Sequence, residues 1–247
     1  MTEAEKELRY NALKTIRDGL VKASNAPLFK YRTENKYFPV IGEGAHDAKI
    51  MFVGEAPGET EAKTGRPFCG AAGKFLDVML DSIGMDRTTV YITNLVKDRP
   101  PGNRDPLPEE IAYYSPLLLE QIEIIKPRSI VTLGRYSMAF LMNHFGLGNQ
   151  LQSISKIHGQ VFHVKDRDMA IVTLYHPAVA LYNGGMRETL LKDFAVLKQF
   201  LGDEFPEELF EKSSVVSAQS DDEDAPSGPV ALDLPKKELL PEQTTLF

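Results

Sequence analysis

The chain of 247 residues holds a single cysteine, Cys69, and no tryptophan. One thiol excludes an internal disulfide and any cysteine-rich metal site. It also suits a reducing cytosol, so a cytoplasmic protein is expected. Long apolar runs are missing too. None approaches the ~20 residues of a membrane span, and no membrane partner is expected. The opening MTEAEKELRYNALK reads as a charged amphipathic helix without the apolar core of a secretion signal. Nucleotide fingerprints are absent as well. Lys74 follows Gly73 but precedes Phe75, which breaks GxxxxGK[ST], and GEAPGE lacks the GxGxxG spacing. Without the lysine–hydroxyl pair that holds phosphates and magnesium, a nucleotide hydrolase is disfavoured.

Charge is unevenly spread. Of a net −7, residues 202–247 carry 12 Asp/Glu against 3 Lys/Arg, which leaves 23 acids and 25 bases in the rest. A slightly basic body with an acidic tail is compatible with a DNA partner. The tail is rich in acid, serine and proline and lacks lasting periodicity. Three segments are therefore expected: a body over 1–203, an acidic disordered linker over 204–240 and a terminal peptide over 241–247.

Within the body, apolar runs at Lys49–Val53, Val90–Leu95, Ser129–Leu133 and Ala170–Leu174 alternate with helical spacing. The helices fall at about Ala72–Ile83, Pro108–Lys126, Tyr136–His144 and Arg187–Leu201, and VFHVKDRD adds a short strand and turn. This alternation predicts an α/β fold, a three-layer α/β/α sandwich around a mainly parallel four-stranded sheet. Ligands of such sheets bind beyond the carboxyl ends of the strands. Those ends read GEAPG, TNLVK, GRYS and YHPA, and three of the four bring groups able to do chemistry: Glu55, Asn94 and His176. The loop after the first run, VGEAPGETEAKTGRPFCGAAGK, joins glycines to three glutamates, more negative charge than a phosphate site wants.

The segments GEAPG…GRPFCGAAGK, YITNLVKDRPPGNRDP, KPRSIVTLG and TLYHPAVAL occur in that order. Together they resemble the uracil-DNA glycosylase superfamily, most closely its family 4, over roughly Leu20 to Leu201. The resemblance implies a monofunctional enzyme that hydrolyses the N-glycosidic bond of uracil in DNA to start base excision repair. No lyase activity is expected, since no lysine nucleophile is indicated at the pocket. Cleavage leaves an oxocarbenium-like sugar and an anionic base, and this gives the glutamates of the loop a use. By resemblance, Glu55 and Glu61 position water and support the cation, while Gly54 and Ala56 let the backbone approach the base. Phe68 corresponds to the aromatic that stacks on uracil. Asn94 corresponds to the amide that reads its O4 and N3–H, and His176 to the donor to O2. Val179 and Leu181 become wedges that enter the minor groove. Lys74, Lys156, Arg187 and the backbone around Gly134 become phosphate contacts. His158 is expected at the surface or in packing, with an additional DNA contact as the alternative reading. His46, His144 and His163 are expected at the surface or in packing.

Departures from the family pattern carry expectations of their own. Family 4 enzymes typically hold an iron–sulfur cluster on four cysteines, and the corresponding positions here are Ala23, Ala26, Asp98 and Tyr114. The cluster is expected to be absent, with no other metal or cofactor, and packing of Leu28, Tyr113 and Tyr114 in its place. A related branch traps DNA through a histidine after the second strand, whereas DRPPGNRDPLP has none, so covalent trapping is disfavoured. The terminal QTTLF resembles peptides that bind the DNA sliding clamp, with Gln243 offering an amide and Leu246 and Phe247 acting as anchors. The expected partners are uracil-containing DNA and the clamp, with the chain itself monomeric. Two competing readings stand beside this one. The first is a catalytically inactive module that binds uracil-DNA or single strands. The second is a glycosylase for another deaminated base, such as hypoxanthine.

Overall fold

The computed structural model describes residues 2–204, so nearly all of the expected linker and the whole QTTLF peptide lie outside the described residues. The helices are α1 Glu3–Lys22, α2 Phe29–Glu34, α3 Glu59–Thr64, α4 Ala71–Ser82, α5 Pro108–Ile125, α6 Arg135–His144, α7 Ile154–Ile157, α8 Val179–Tyr182 and α9 Met186–Glu204. The strands are β1 Glu43–Gly44, β2 Ile50–Gly54, β3 Tyr91–Asn94, β4 Ser129–Leu133, β5 Gln160–His163 and β6 Ala170–Leu174.

The sheet has six strands in the order β1-β3-β2-β4-β6-β5. Its centre, β3-β2-β4-β6, is parallel and corresponds to the four expected strands. The two edges, β1 and β5, run antiparallel. The edge β5 is the strand foreshadowed by VFHVKDRD. The other edge spans only two residues, too few to show any alternation in sequence.

Every residue of β2, β4 and β6 is buried, which explains why these strands read as apolar runs interrupted only by Ser129, Thr132 and Thr173. Alternate side chains leave by opposite faces. Ile50, Phe52, Val131, Leu133, Val172 and Leu174 share a core with Leu76, Met79 and Leu80 of α4 and with Leu190, Phe194 and Leu197 of α9. Met51, Val53, Ile130 and Ile171 pack instead with Leu13 and Ile16 of α1, Leu118 and Ile122 of α5, and Met138 and Leu141 of α6. The three layers follow from this period of two in the strands.

Helix starts and stops use local chemistry. Thr2 Oγ1 accepts from the Glu5 N–H while the Glu5 carboxylate accepts from the Thr2 N–H, boxing the start of α1. At α5, Pro108 occupies the first turn and the Glu110 carboxylate accepts from the Leu107 N–H at 2.8 Å. Among the described residues, no helix is long and apolar enough to cross a membrane.

Candidate active site

Beyond the carboxyl ends of β2, β3 and β6 lies a cavity of about 310 Å³. Glu55, Ala56, Glu61, Phe68, Asn94, His176 and Leu181 all line it, brought from three separate segments of the sequence. Gly54 lies directly behind. A Cβ there would fall 2.3 Å from Asn94 Oδ1 and 2.6 Å from Phe68 Cζ, so only glycine lets these two side chains meet over β2.

Phe68 is held in a conformation that bulky residues avoid, with φ at 47°. Two contacts fix it. A Cβ on Gly73 would fall 1.8 Å from the Phe68 carbonyl oxygen, so α4 approaches the loop at its first turn only through glycine. Beyond it, Glu61 Oε1 accepts from the backbone N–H groups of Cys69 at 3.0 Å and Gly70 at 2.8 Å. Sequence reasoning gave Glu55 and Glu61 one shared role, but the geometry separates them. Glu61 rides on α3, a six-residue helix inside what reads as a glycine-rich loop, and braces the turn that carries Phe68.

Glu55 faces a different environment. Burial pushes its carboxyl up to about 7, the Asp105 carboxylate adds to the rise, and the Arg135 guanidinium opposes it. Asp105 and Arg135 form an ion pair of 2.5 Å. His176 Nδ1 accepts from the Ala178 N–H at 3.1 Å, so in the neutral ring the proton sits on Nε2. Burial holds that ring neutral, pushing its pKa down to about 4 against the opposing charge of Glu61. Its ring centroid lies 5.6 Å from that of Phe68. Asn94 is buried, and among the described residues its Oδ1 has no hydrogen-bond donor.

A model of the uracil DNA glycosylase superfamily matches residues 41–201. The chain belongs to that superfamily. It is 44% identical over 192 residues to the type-4 uracil-DNA glycosylase of Sulfurisphaera tokodaii, covering 76% of this chain and 84% of that protein. The type-4 enzyme of Archaeoglobus fulgidus is 43% identical over 178 residues, covering 71% of this chain and 87% of that protein. The type-4 enzyme of Saccharolobus solfataricus is 43% identical over 192 residues, covering 76% and 86%.

Not every residue assigned to the superfamily's DNA contacts reaches the cavity. Lys74, Lys156 and Arg187 are exposed but do not line it, and Val179 is half-buried beside it. Arg187 lies 4.7 Å over the ring of Phe75. His158 does not line the cavity either, and its Nδ1 lies 2.9 Å from the Asp193 carboxylate. Conversely, sequence reasoning missed Asn103, Arg104 and Tyr182, all at the cavity. Arg104 is fixed there by a two-pronged pair with Glu110 at 2.6 and 2.9 Å. The PPGNRDP run offered a signal for Asn103 and Arg104. Tyr182 had only its place beside Leu181, yet it is 89% exposed.

The positions matched to the family's cysteines hold a different device. Arg32 Nη1 donates to both Asp98 carboxylate oxygens at 3.1 and 2.9 Å, and Tyr114 Oη donates to Asp98 Oδ2 at 2.7 Å. Arg32 Nη2 donates to the carbonyls of Leu20 and Val21, tying α2 to the end of α1. Leu28 and Tyr114 pack in the adjoining core with Tyr113, as expected, but the ion pair among them was not foreseen. With no thiol in this set and its volume filled by a paired polar network, these residues do not fit an iron–sulfur cluster.

Proposed function

We propose that the protein is a monofunctional uracil-DNA glycosylase that opens base excision repair. The observation that carries this reading is the orphaned Asn94 Oδ1. A buried acceptor without a donor costs about 1–3 kcal/mol. Uracil relieves it by donating N3–H, while Asn94 Nδ2 donates to O4. Cytosine presents an acceptor at N3 and a donor at N4, so both contacts would oppose.

A base reaches this site only after leaving the stack. Phe68 then supports its face, and Leu181 and Tyr182 fill the gap it leaves. As the C1′–N1 bond lengthens, His176 Nε2–H donates to O2, where negative charge grows. Glu55 holds the water that attacks C1′ and faces the cationic sugar. Glu61 keeps Phe68 in place. No lysine lines the cavity among the described residues, consistent with hydrolysis that leaves an abasic site. The enzyme works as a monomer in the cytoplasm without an iron–sulfur cluster, the Arg32–Asp98–Tyr114 network standing in that place. QTTLF tethers it to a sliding clamp.

Hypoxanthine remains a second candidate substrate, because its N1–H and O6 offer Asn94 the same donor–acceptor pair. Oligonucleotides with one uracil or one hypoxanthine, single- and double-stranded, decide among these readings through alkali cleavage of the product. Uracil release, lost about 10²-fold in Asn94→Ala, is expected. Release from neither strand form, or uracil-DNA binding without release, refutes the proposal, and release of hypoxanthine alone moves the substrate class.

A further inference from the structure

Lys97 follows β3 by three residues and has no exposed surface at all. Its Nζ donates to Thr93 Oγ1 at 2.8 Å, to the backbone carbonyl of Asn94 at 2.7 Å and to Gln121 Oε1 at 2.5 Å. These acceptors are themselves oriented. The Thr93 hydroxyl donates to the Ile41 carbonyl, and Gln121 Nε2 donates to that carbonyl and to Tyr91 Oη, each at 3.0 Å. Gln121 must therefore turn its oxygen to the lysine. Three oxygens match the three N–H groups of an ammonium, and none belongs to a carboxylate. Burial pushes the Lys97 pKa well below its ordinary value, whereas hydrogen bonds to three acceptors favour the charged form. A buried charge without a counter-ion is costly, and a lysine sealed behind Asn94 with three acceptors set for an ammonium calls for a use.

We propose that Lys97 is a positioning residue whose buried charge, applied through Asn94, stabilises the negative charge uracil acquires as the glycosidic bond breaks. This deepens the uracil-DNA glycosylase reading and rests on it. In that step the C1′–N1 electron pair leaves with the base, the water oxygen bonds to C1′, and Glu55 takes the water proton. The base is neutral before the step and anionic after it. A fixed positive charge one residue away, in a medium of low dielectric, therefore favours the end of the step over its beginning. Lys97 should consequently act on kcat and leave KM nearly unchanged.

The test compares single-turnover excision of uracil and of 5-fluorouracil from DNA by the full-length protein, Lys97→Met and Gln121→Glu. Fluorine acidifies N1, so the departing 5-fluorouracil anion needs less help. Lys97→Met is expected to lose roughly tenfold on uracil and clearly less on 5-fluorouracil. Gln121→Glu supplies the missing counter-charge while keeping the lysine held, so it should slow uracil in the same selective way even if Lys97→Met fails to fold. Nitrogen-15 NMR of the lysine side chains should show an ammonium at Lys97 at neutral pH. Equal losses on both bases, an unchanged rate in Gln121→Glu, or a neutral amine overturns the inference. If the wild-type protein releases no uracil, the functional proposal fails instead, before Lys97 is in question.

Discussion

Excision should fade as pH falls through neutrality, and Glu55 should be the cause. Its carboxyl is pushed up to about 7, first by burial, then by Asp105, with Arg135 opposing. A carboxylate that holds and deprotonates water must be ionised. A raised pKa means that this form is present above 7 and is lost below it. One pH unit above such a pKa about 91% is ionised and one unit below about 9%, so the rate should drop roughly tenfold from pH 8 to pH 6. His176 adds nothing to this limb, because its pKa of about 4 leaves it neutral throughout. The perturbation that isolates the cause is Asp105→Asn. It removes a charge that raises Glu55 and releases Arg135 from its 2.5 Å pair, and both changes favour the carboxylate. The limb should move to lower pH, whereas Arg135→Gln should move it up. Since the paired side chains are largely exposed, added salt should shrink both displacements. The assay is single-turnover uracil release from single-stranded DNA between pH 5 and 9. A flat profile from pH 8 to 6, or a limb that ignores Asp105→Asn, would remove Glu55 from water activation.

Four further outcomes are expected. Gly73→Ala drives a methyl into the Phe68 carbonyl and should cost about 2–3 kcal/mol of stability together with activity, read by thermal melting and excision. Unchanged values would show that the loop is not braced there. Arg32→Met leaves Asp98 buried and unpaired and should cost about 3–5 kcal/mol in urea unfolding, partly restored by Asp98→Asn. Recovery of iron and visible absorbance in the purified wild-type protein would instead show that a cluster is bound. Tyr182→Ala with Leu181→Ala should slow excision roughly tenfold on duplex and much less on single strands, and equal effects would deny them a wedge role. Deleting Gln243–Phe247 should abolish clamp binding and leave excision from a short oligonucleotide unchanged, and retained clamp binding would remove the tail's role.

The sheet was legible because parallel strands are buried on both faces. Four mostly apolar runs therefore stood out, and the rule that ligands sit at their carboxyl ends brought Glu55, Asn94 and His176 together. The edges were harder to see, since β1 spans two residues and leaves no pattern. The helix α3 was hidden for a similar reason, being six residues long within a glycine-rich run. Long-range polar pairs were not legible at all. Arg32 and Asp98 stand 66 residues apart and neither lies in a pattern that names the other. Lys97 reads in sequence as an ordinary loop lysine, and only packing reveals that it is sealed under Asn94.

What sequence leaves open is the state of each group, because burial sets it. Type and position place Glu55 and His176 at the cavity, but the state of each depends on desolvation, which moves both toward their neutral forms. The same pressure acts on Lys97, whose Nζ donates to three oxygens. The cavity therefore presents a neutral imidazole and a carboxyl poised near neutrality. In the proposed reaction, charge enters the site chiefly as the bond breaks: a cation on the sugar beside Glu55 and an anion on the base between His176 and Asn94. Groups that are weakly charged at rest and well aimed at that separation favour the transition state more than the bound substrate, and only that difference accelerates the reaction.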